Sequence, residues 1–169
     1  MCPAANALPT AEGAIQLAME HTPHTVHASR CLVIGCGRVG KVLAQRLRGL
    51  GAHVTVSARR CSDLAWIDAC GWGSIRTDLL AGALDRFDLI FNTVPAPVLE
   101  EAMLRELREE CLLIDLASEP GGVDPAAAKR QNRRLLRAPG LPGKVAPMSA
   151  AAAVRDSIYH ILEERGDIV

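Results

Sequence analysis

Short apolar runs alternate with longer segments of mixed polarity along most of the chain. The runs have the length of buried strands, and the segments between them carry apolar residues at helical spacing, although the run at 73–77 is weak. The predicted strands span 31–35, 53–58, 73–77, 88–94, 111–116 and 134–138, and the predicted helices span 38–50, 62–70, 78–84, 97–108 and 124–132. This alternation predicts an α/β protein in three layers, with a doubly wound parallel sheet and helices on both faces.

Two further helices flank this predicted core. The first is expected over 10–20 and the second over 149–165, where Ile158, Ile161 and Leu162 form an apolar stripe. We therefore divide the chain into an N-terminal segment with a connecting helix, a central domain and a C-terminal helix. The boundaries of these parts are 1–29, 30–147 and 148–169.

A Gly-x-Gly-x-x-Gly turn joins the first predicted strand to the first core helix, with its glycines at Gly35, Gly37 and Gly40. In this context the first glycine permits the turn, the second lets a pyrophosphate approach the backbone, and the third lets the helix lie against the strand. The start of the helix, at Arg38 and Val39, offers free N–H groups and a partial positive charge. The pattern predicts a Rossmann domain that binds a dinucleotide, with these residues around its pyrophosphate.

The end of the second predicted strand lacks the carboxylate that holds the ribose 2′-OH in NAD-binding domains. Ser57, Arg59 and Arg60 occur there instead, a hydroxyl and two guanidinium groups that suit a 2′-phosphate. This set favours NADP(H) as the cofactor and leaves NAD(H) as the alternative. Arg59 and Arg60 could also be ordinary solvated charges at the end of a strand.

Polar and turn-forming residues follow the fourth, fifth and sixth predicted strands, at the edge where ligands bind in doubly wound sheets. After the fourth strand they could line the path of the ribose and nicotinamide, or simply form a turn. Asp115 is either a catalytic acid or a loop organiser that accepts backbone N–H groups. A loop rich in glycine and proline after the sixth strand can pass close to a flat ring. The cofactor-site candidates at this edge are Asn92, Thr93, Val94, Pro95, Asp115, Ala117, Gly140, Leu141 and Pro142.

The composition argues against several other classes of protein. Hydrophobic residues make up 49% of the chain and aromatic residues 3%, while Lys+Arg and Asp+Glu balance at 19 each. Without a basic block, nucleic-acid binding is not expected. No apolar run reaches membrane-spanning length and no signal-peptide pattern occurs, so we expect a cytoplasmic protein without membrane contact. Hydrolase and phosphoryl-transfer motifs are absent from the sequence.

Cysteine and histidine positions do not indicate a disulfide framework or a metal centre. The six cysteines form no C-x-x-C pair, which is typical of a reducing compartment. Cys36 lies in the glycine turn beside a helix N-terminus, where a thiolate would be favoured, although the turn needs only backbone N–H groups there. His21, His24 and His27 have helical spacing, but Pro23 interrupts the helix. No carboxylate or cysteine cluster completes a site, so no metal is expected.

Four motifs occur in a fixed order and carry a resemblance to a known family. They are Pro9-Thr10-Ala11-Glu12-Gly13-Ala14-Ile15, the glycine turn 35–40, Asp115-Leu116-Ala117-Ser118-x-Pro120-Gly121-Gly122-x-Asp124, and Ala138-Pro139-Gly140-Leu141-Pro142-Gly143-Lys144-Val145-Ala146-Pro147. From about Pro9 to the last helix, the chain resembles the C-terminal, cofactor-binding part of the dipicolinate synthase A-subunit family. The glycine turn is generic, whereas the first and last motifs are much more specific.

The resemblance implies an oxidoreductase that converts dihydrodipicolinate into dipicolinate (pyridine-2,6-dicarboxylate), the calcium chelator of spores, during sporulation. It also implies a small dicarboxylate substrate and a second, flavoprotein-like subunit. The family's N-terminal substrate domain has no counterpart here, so we expect this chain alone to bind cofactor but not to complete the reaction. A homodimer, and a stand-alone NAD(P)H-sensing module that acts through a partner, remain open alternatives.

Four residues are candidates for contact with the substrate. Thr10 is expected to begin the first helix, where free N–H groups could receive a carboxylate, although the charge of Glu12 would oppose it. Lys144 could pair with a second carboxylate or remain solvated. Ser149 is the fourth candidate, and Met148-Ser149 stands where the resembling family commonly has Lys-Thr.

Overall fold

A six-stranded, all-parallel sheet forms the centre of the protein, with the strand order β3-β2-β1-β4-β5-β6. The computed structural model describes residues 6–165, apart from the side chains of His160 and Glu164. The strands are β1 (Arg30–Ile34), β2 (His53–Ala58), β3 (Gly73–Arg76), β4 (Leu89–Asn92), β5 (Leu112–Asp115) and β6 (Arg134–Arg137). The order reverses between β1 and β4, and this confirms the predicted doubly wound architecture.

Each face of the sheet buries its own apolar cluster. Successive strand residues point to opposite faces, so Val33 and Phe91 pack in one cluster while Leu32 and Ile90 pack in the other. The first cluster contacts α1 and α2, and the second lies under α4 and α5. The helices are α1 (Ala7–His21), α2 (Arg38–Gly49), α3 (Cys61–Ala69), α4 (Glu101–Leu104), α5 (Pro125–Arg130), α6 (Leu141–Val145) and α7 (Pro147–Arg165). None of these helices combines the length and hydropathy that a membrane span requires.

Two core helices predicted from the sequence are wrong in extent. The segment 78–84 forms no α-helix, only 3-10 turns at Thr77–Leu79 and Leu84–Arg86, and Gly82 between them adopts a φ of +79°. The predicted helix over 97–108 is reduced to the single turn of α4. Pro95 and Pro97 explain its late start, because a proline holds the preceding residue in an extended conformation.

The flanking helices also begin earlier than predicted, and the sequence pattern did not predict one short helix. α1 begins at Ala7 rather than at Thr10, and α7 begins at Pro147 rather than near Ser149. The glycine- and proline-rich segment after β6 folds into α6, whose N-cap Gly140 has a left-handed φ of 70°. Proline in the first turn of a helix costs no hydrogen bond, so Pro142 is compatible with this start.

The junction between β1 and α2 depends on two glycines. A Cβ at Gly40 would lie 2.0 Å from the carbonyl oxygen of Gly35, so any side chain there would push the helix away from the strand. Gly35 has a φ of +103°, and a Cβ on it would meet Thr93 Oγ1 at 2.6 Å. Thr93 Oγ1 in turn donates to the Ile34 carbonyl at 2.8 Å. These contacts fix the start of α2 at the carboxyl end of β1.

We expect Gly40→Ala to lower the free energy of unfolding by about 1–3 kcal/mol, because the added methyl group overpacks the contact with Gly35. Gly49→Ala, on the same helix, is the matched control, since a Cβ at Gly49 meets no atom within 4 Å. That control should be neutral or stabilising by up to about 1 kcal/mol. Urea denaturation measures both changes, and equal stability of the two variants would contradict the proposed contact.

Candidate functional site

A cleft of about 1170 Å³ opens at the carboxyl edge of the sheet, in front of the start of α2. Its walls come from the glycine turn, the ends of β2 and β3, and the segment after β4. Residues that line it include Gly35, Cys36, Gly37, Arg59, Arg60, Asp63, Arg76, Thr77, Asp78, Thr93, Val94 and Pro95. The structure therefore brings together seven of the predicted cofactor residues, which are Gly35, Gly37, Arg59, Arg60, Thr93, Val94 and Pro95.

The N-terminus of α2 faces this cleft with an open backbone surface. Gly37 is the N-cap, and a Cβ built on it meets no atom within 4 Å. The first helical hydrogen bond runs from the Lys41 N–H to the Gly37 carbonyl at 2.9 Å. The N–H groups of Arg38, Val39 and Gly40 precede that bond and have no acceptor within the helix. Unpaired N–H groups at the positive end of a helix suit a pyrophosphate, so the residues present fit a dinucleotide.

Three arginines lie at the other end of the cleft. Arg60 Nε contacts Asp63 Oδ2 at 3.1 Å, and Arg76 Nη2 contacts Asp78 Oδ2 at 2.8 Å. Arg59 is exposed, and none of the carboxylates whose side chains the structure describes lies within ion-pairing distance of it. The three arginines exceed Asp63 and Asp78 by one positive charge, which Arg59 makes available to an anionic group, although Glu100 and Glu106 also line the cleft.

The structure corrects the role predicted for Ser57. Its side chain is fully buried, and its hydroxyl accepts a hydrogen bond from Thr77 Oγ1 at 3.2 Å. The Ser57 carbonyl accepts the N–H of Gly35 at 3.1 Å. Because its side chain is fully buried and does not line the cleft, Ser57 supports the glycine turn from behind and does not present its hydroxyl to a phosphate.

Asn92 and Asp115 form a buried polar network behind the cleft. Asn92 Nδ2 donates to Asp115 Oδ1 at 2.8 Å and to the Val94 carbonyl at 3.0 Å. Asp115 also accepts the N–H groups of Ala117 at 3.2 Å and Gly122 at 3.0 Å. A carboxylate with these partners organises the loops after β4 and β5. Of the two roles proposed for Asp115, the geometry favours the loop organiser over an exposed catalytic acid.

The predicted role of Thr10 as a helix N-terminus is also wrong. Thr10 lies one turn inside α1, where its N–H and its hydroxyl both donate to the Asn6 carbonyl, at 3.3 and 2.6 Å. Its backbone N–H is therefore not free to receive a substrate carboxylate. Glu12 is exposed on α1 and pairs with Arg46 of α2 at 3.4 Å.

The candidates after β6 lie outside the cleft described above. Gly140 caps α6, and Leu141 is buried against Gly13 of α1, whose Cβ would lie 3.4 Å from it. Pro142 continues the first turn of α6 and is half-buried. Lys144 and Ser149 are exposed on α6 and α7. Leu141 thus packs α6 against α1, and the predicted ligand contacts of all five residues stay predictions.

Cys36 lines the cleft, but its environment does not favour a thiolate. Partial burial raises the pKa of its thiol above the ordinary value, and the positive charge of nearby Lys41 only partly offsets this effect. Burial likewise raises the pKa of Cys31 to about 11 and that of Cys111 to about 12. Cys36 therefore contributes backbone to the turn, which is the simpler of its two interpretations.

Sequence reasoning missed the contribution of β3 to the cleft. Arg76 pairs in register with Ala58, so the end of β3 lies beside the end of β2. Thr77 and Asp78 follow at once and line the same wall. Parallel strands next to each other end at the same edge, so the polar residues after this weak strand were the available signal.

Comparison with known proteins relates the chain to NAD(P)-binding oxidoreductases. The sequence profile of a putative NAD(P)-binding family matches residues 23–125. The A subunit of dipicolinate synthase from Bacillus subtilis is 40% identical over 159 residues, which are 94% of this chain and 54% of that protein. Alanine dehydrogenase of Halomonas elongata is 31% identical over 129 residues, which are 70% of this chain and 34% of the relative.

Solved structures lead to the same relatives. The crystal structure of the dipicolinate synthase A subunit from Bacillus halodurans superposes with a TM-score of 0.91 at 39% identity. The match covers 94% of this chain and 55% of that structure. The chain thus spans about half the length of the dipicolinate synthase proteins that it matches.

We expect Gly37→Val to abolish dinucleotide binding while leaving the fold intact. The backbone of Gly37, with φ −80° and ψ −169°, is accessible to any residue, and a Cβ there has free space. The added side chain would occupy the volume that phosphate oxygens need. Calorimetric titration with NADPH, with circular dichroism as the check on folding, measures the effect. Unchanged affinity in a folded variant would disprove the site.

Proposed function

The chain belongs to the NAD(P)-binding family and is a homologue of the dipicolinate synthase A subunit, and from that premise we propose that it binds a nicotinamide dinucleotide across its carboxyl sheet edge. The observation that carries the proposal is the open N-terminus of α2, where Gly37 leaves space in front of three N–H groups. Arg38, Val39 and Gly40 would hold the pyrophosphate. The rest of the cofactor would lie along residues 93–95 and extend toward the loops after β5 and β6.

We propose NADP(H) as the preferred cofactor. The support is the excess of guanidinium groups at the end of β2, where an NAD-binding domain usually has a carboxylate. Arg59 is exposed and unpaired among the described residues, so binding a phosphate would cost it no existing partner. Arg60 would exchange or share its contact with Asp63. NAD(H) is the alternative, with a carboxylate such as Asp63 accepting ribose hydroxyls.

The double variant Arg59→Ala/Arg60→Ala should weaken NADPH binding at least about tenfold, because each charge-assisted contact contributes about 1.5–3 kcal/mol. NADH binding should stay unchanged. Arg48→Ala, at the exposed end of α2 and outside the cleft, is the control for a general loss of positive charge. Calorimetry measures the affinities of the unmodified chain and of both variants for NADPH and NADH. Tighter binding of NADH by the unmodified chain would refute the preference.

For the reaction, we propose oxidation of dihydrodipicolinate to dipicolinate. The name of the relatives supports dipicolinate as the product, and the resemblance of the sequence motifs implies dihydrodipicolinate as the substrate. A nicotinamide dinucleotide, when bound, would supply the hydride acceptor for this oxidation, and the substrate would also lose a proton as its ring becomes aromatic. The chain's own residues would fix the cofactor and the loop positions. Asn92 and Asp115 would do so through their buried network, and Lys144 stays a candidate partner for a substrate carboxylate.

We propose that the reaction also needs protein outside this chain. The matched relatives are about twice as long, and a second domain that closes over a cleft would hold the substrate and exclude water. The Bacillus subtilis relative is named as one subunit of its synthase, which supports a second subunit, for which we propose a flavoprotein-like protein. We place the assembly in the cytoplasm of a sporulating cell.

The test compares this chain with a version joined to the other domain of its relative, each with and without the second subunit. We expect the chain alone to bind NADPH but to form NADPH from NADP⁺ and dihydrodipicolinate slowly or not at all. Full turnover by the chain alone would contradict the need for closure. No turnover by the largest assembly, despite bound cofactor, would contradict the reaction and favour a nucleotide-sensing module.

A further inference from the structure

We propose that Arg76, at the end of β3, is a specificity-determining residue that binds the 2′-phosphate of NADP(H) together with Arg59 and Arg60. This inference rests on the proposed function, because it assigns a ligand group to one end of the same cleft. Ala58 and Arg76 are register partners in β2 and β3, so Arg76 lies one strand away from the base of Arg59. All three arginines line the cleft.

The guanidinium of Arg76 is held in a defined orientation. Its Nε donates to Asp78 Oδ1 at 3.0 Å and its Nη2 to Asp78 Oδ2 at 2.8 Å, a bidentate pair. An arginine has five N–H donors, so this pairing leaves the Nη1 side of the fork for another acceptor. A planar fork with a fixed orientation suits phosphate oxygens better than a flexible ammonium would.

The charge of Asp78 also affects whether this end of the cleft favours a 2′-phosphate or a ribose hydroxyl. The hydrogen bonds from Arg76 lower the pKa of the Asp78 carboxyl, which therefore stays ionised at neutral pH. An ionised carboxylate beside the fork repels a phosphate and lessens the contribution of Arg76. Asp78→Asn removes this charge but keeps a side-chain oxygen that can accept from Arg76, so it should strengthen the binding of a 2′-phosphate. It would weaken the binding of a ribose hydroxyl that donated to the Asp78 carboxylate.

Two probes isolate the phosphate from the rest of the cofactor. Binding of 2′-phospho-ADP-ribose and of ADP-ribose to the 169-residue chain is measured by calorimetry, because these ligands differ only in the phosphate. Arg76→Ala should weaken binding of the phosphorylated probe about tenfold or more and leave ADP-ribose unchanged. Arg86→Ala is the matched control, since Arg86 is exposed on a 3-10 turn and does not line the cleft. Asp78→Asn should tighten binding of the phosphorylated probe.

The outcomes separate this inference from the proposed function. Preference for 2′-phospho-ADP-ribose that depends on Arg59 and Arg60 but not on Arg76 would overturn the inference and leave the function intact. Equal weakening of both probes by Arg76→Ala would also overturn it, because the effect would not concern the phosphate. If the unmodified chain bound ADP-ribose more tightly than 2′-phospho-ADP-ribose, and Asp78→Asn weakened the binding of ADP-ribose, this end of the cleft would bind ribose hydroxyls. That result would overturn the inference. Failure to bind either probe would overturn the dinucleotide site and the inference together.

Discussion

The close approach of α2 to β1 is the constraint on which the candidate site depends. Gly40 lies against the Gly35 carbonyl at a distance that admits no side chain, and this contact sets where the helix begins. Because the helix starts there, its unpaired N–H groups open onto the carboxyl edge of the sheet rather than into the core. Gly37 then leaves this surface uncovered. A binding surface thus arises from the absence of side chains.

The carboxyl edge of the sheet has two parts, one with buried polar residues and one with accessible charged residues. On one side of β1, the ends of β4 and β5 carry Asn92 and Asp115, which are buried and satisfy the backbone of the following loops. On the other side, the ends of β2 and β3 carry arginines that remain accessible. Buried polar groups must be hydrogen-bonded, so the first part gives rigidity. Accessible charges can exchange partners, so the second part can recognise an anion.

The sequence was sufficient for the alternation of strands and helices and for the position of the glycine turn, because both depend on local spacing. It was insufficient where burial decides a role. Ser57 and Asn92 resemble ligands when only their polarity is known, but strand geometry turns their side chains into the interior. Arg76 was missed for the opposite reason, since only the order of strands in the sheet places it beside Arg59. The prediction of a helix over 78–84 is wrong because Gly82, with its positive φ, interrupts this short connection.

The central claim is that the start of α2 receives the pyrophosphate of a dinucleotide. Titration of the ¹⁵N-labelled chain with NADPH, followed by amide chemical shifts, tests it most directly. We predict that the largest and saturable shifts occur at the backbone amides of Gly37, Arg38, Val39 and Gly40. Amides that stay unshifted there, while those of the loop 115–122 or of α6 move, would contradict it.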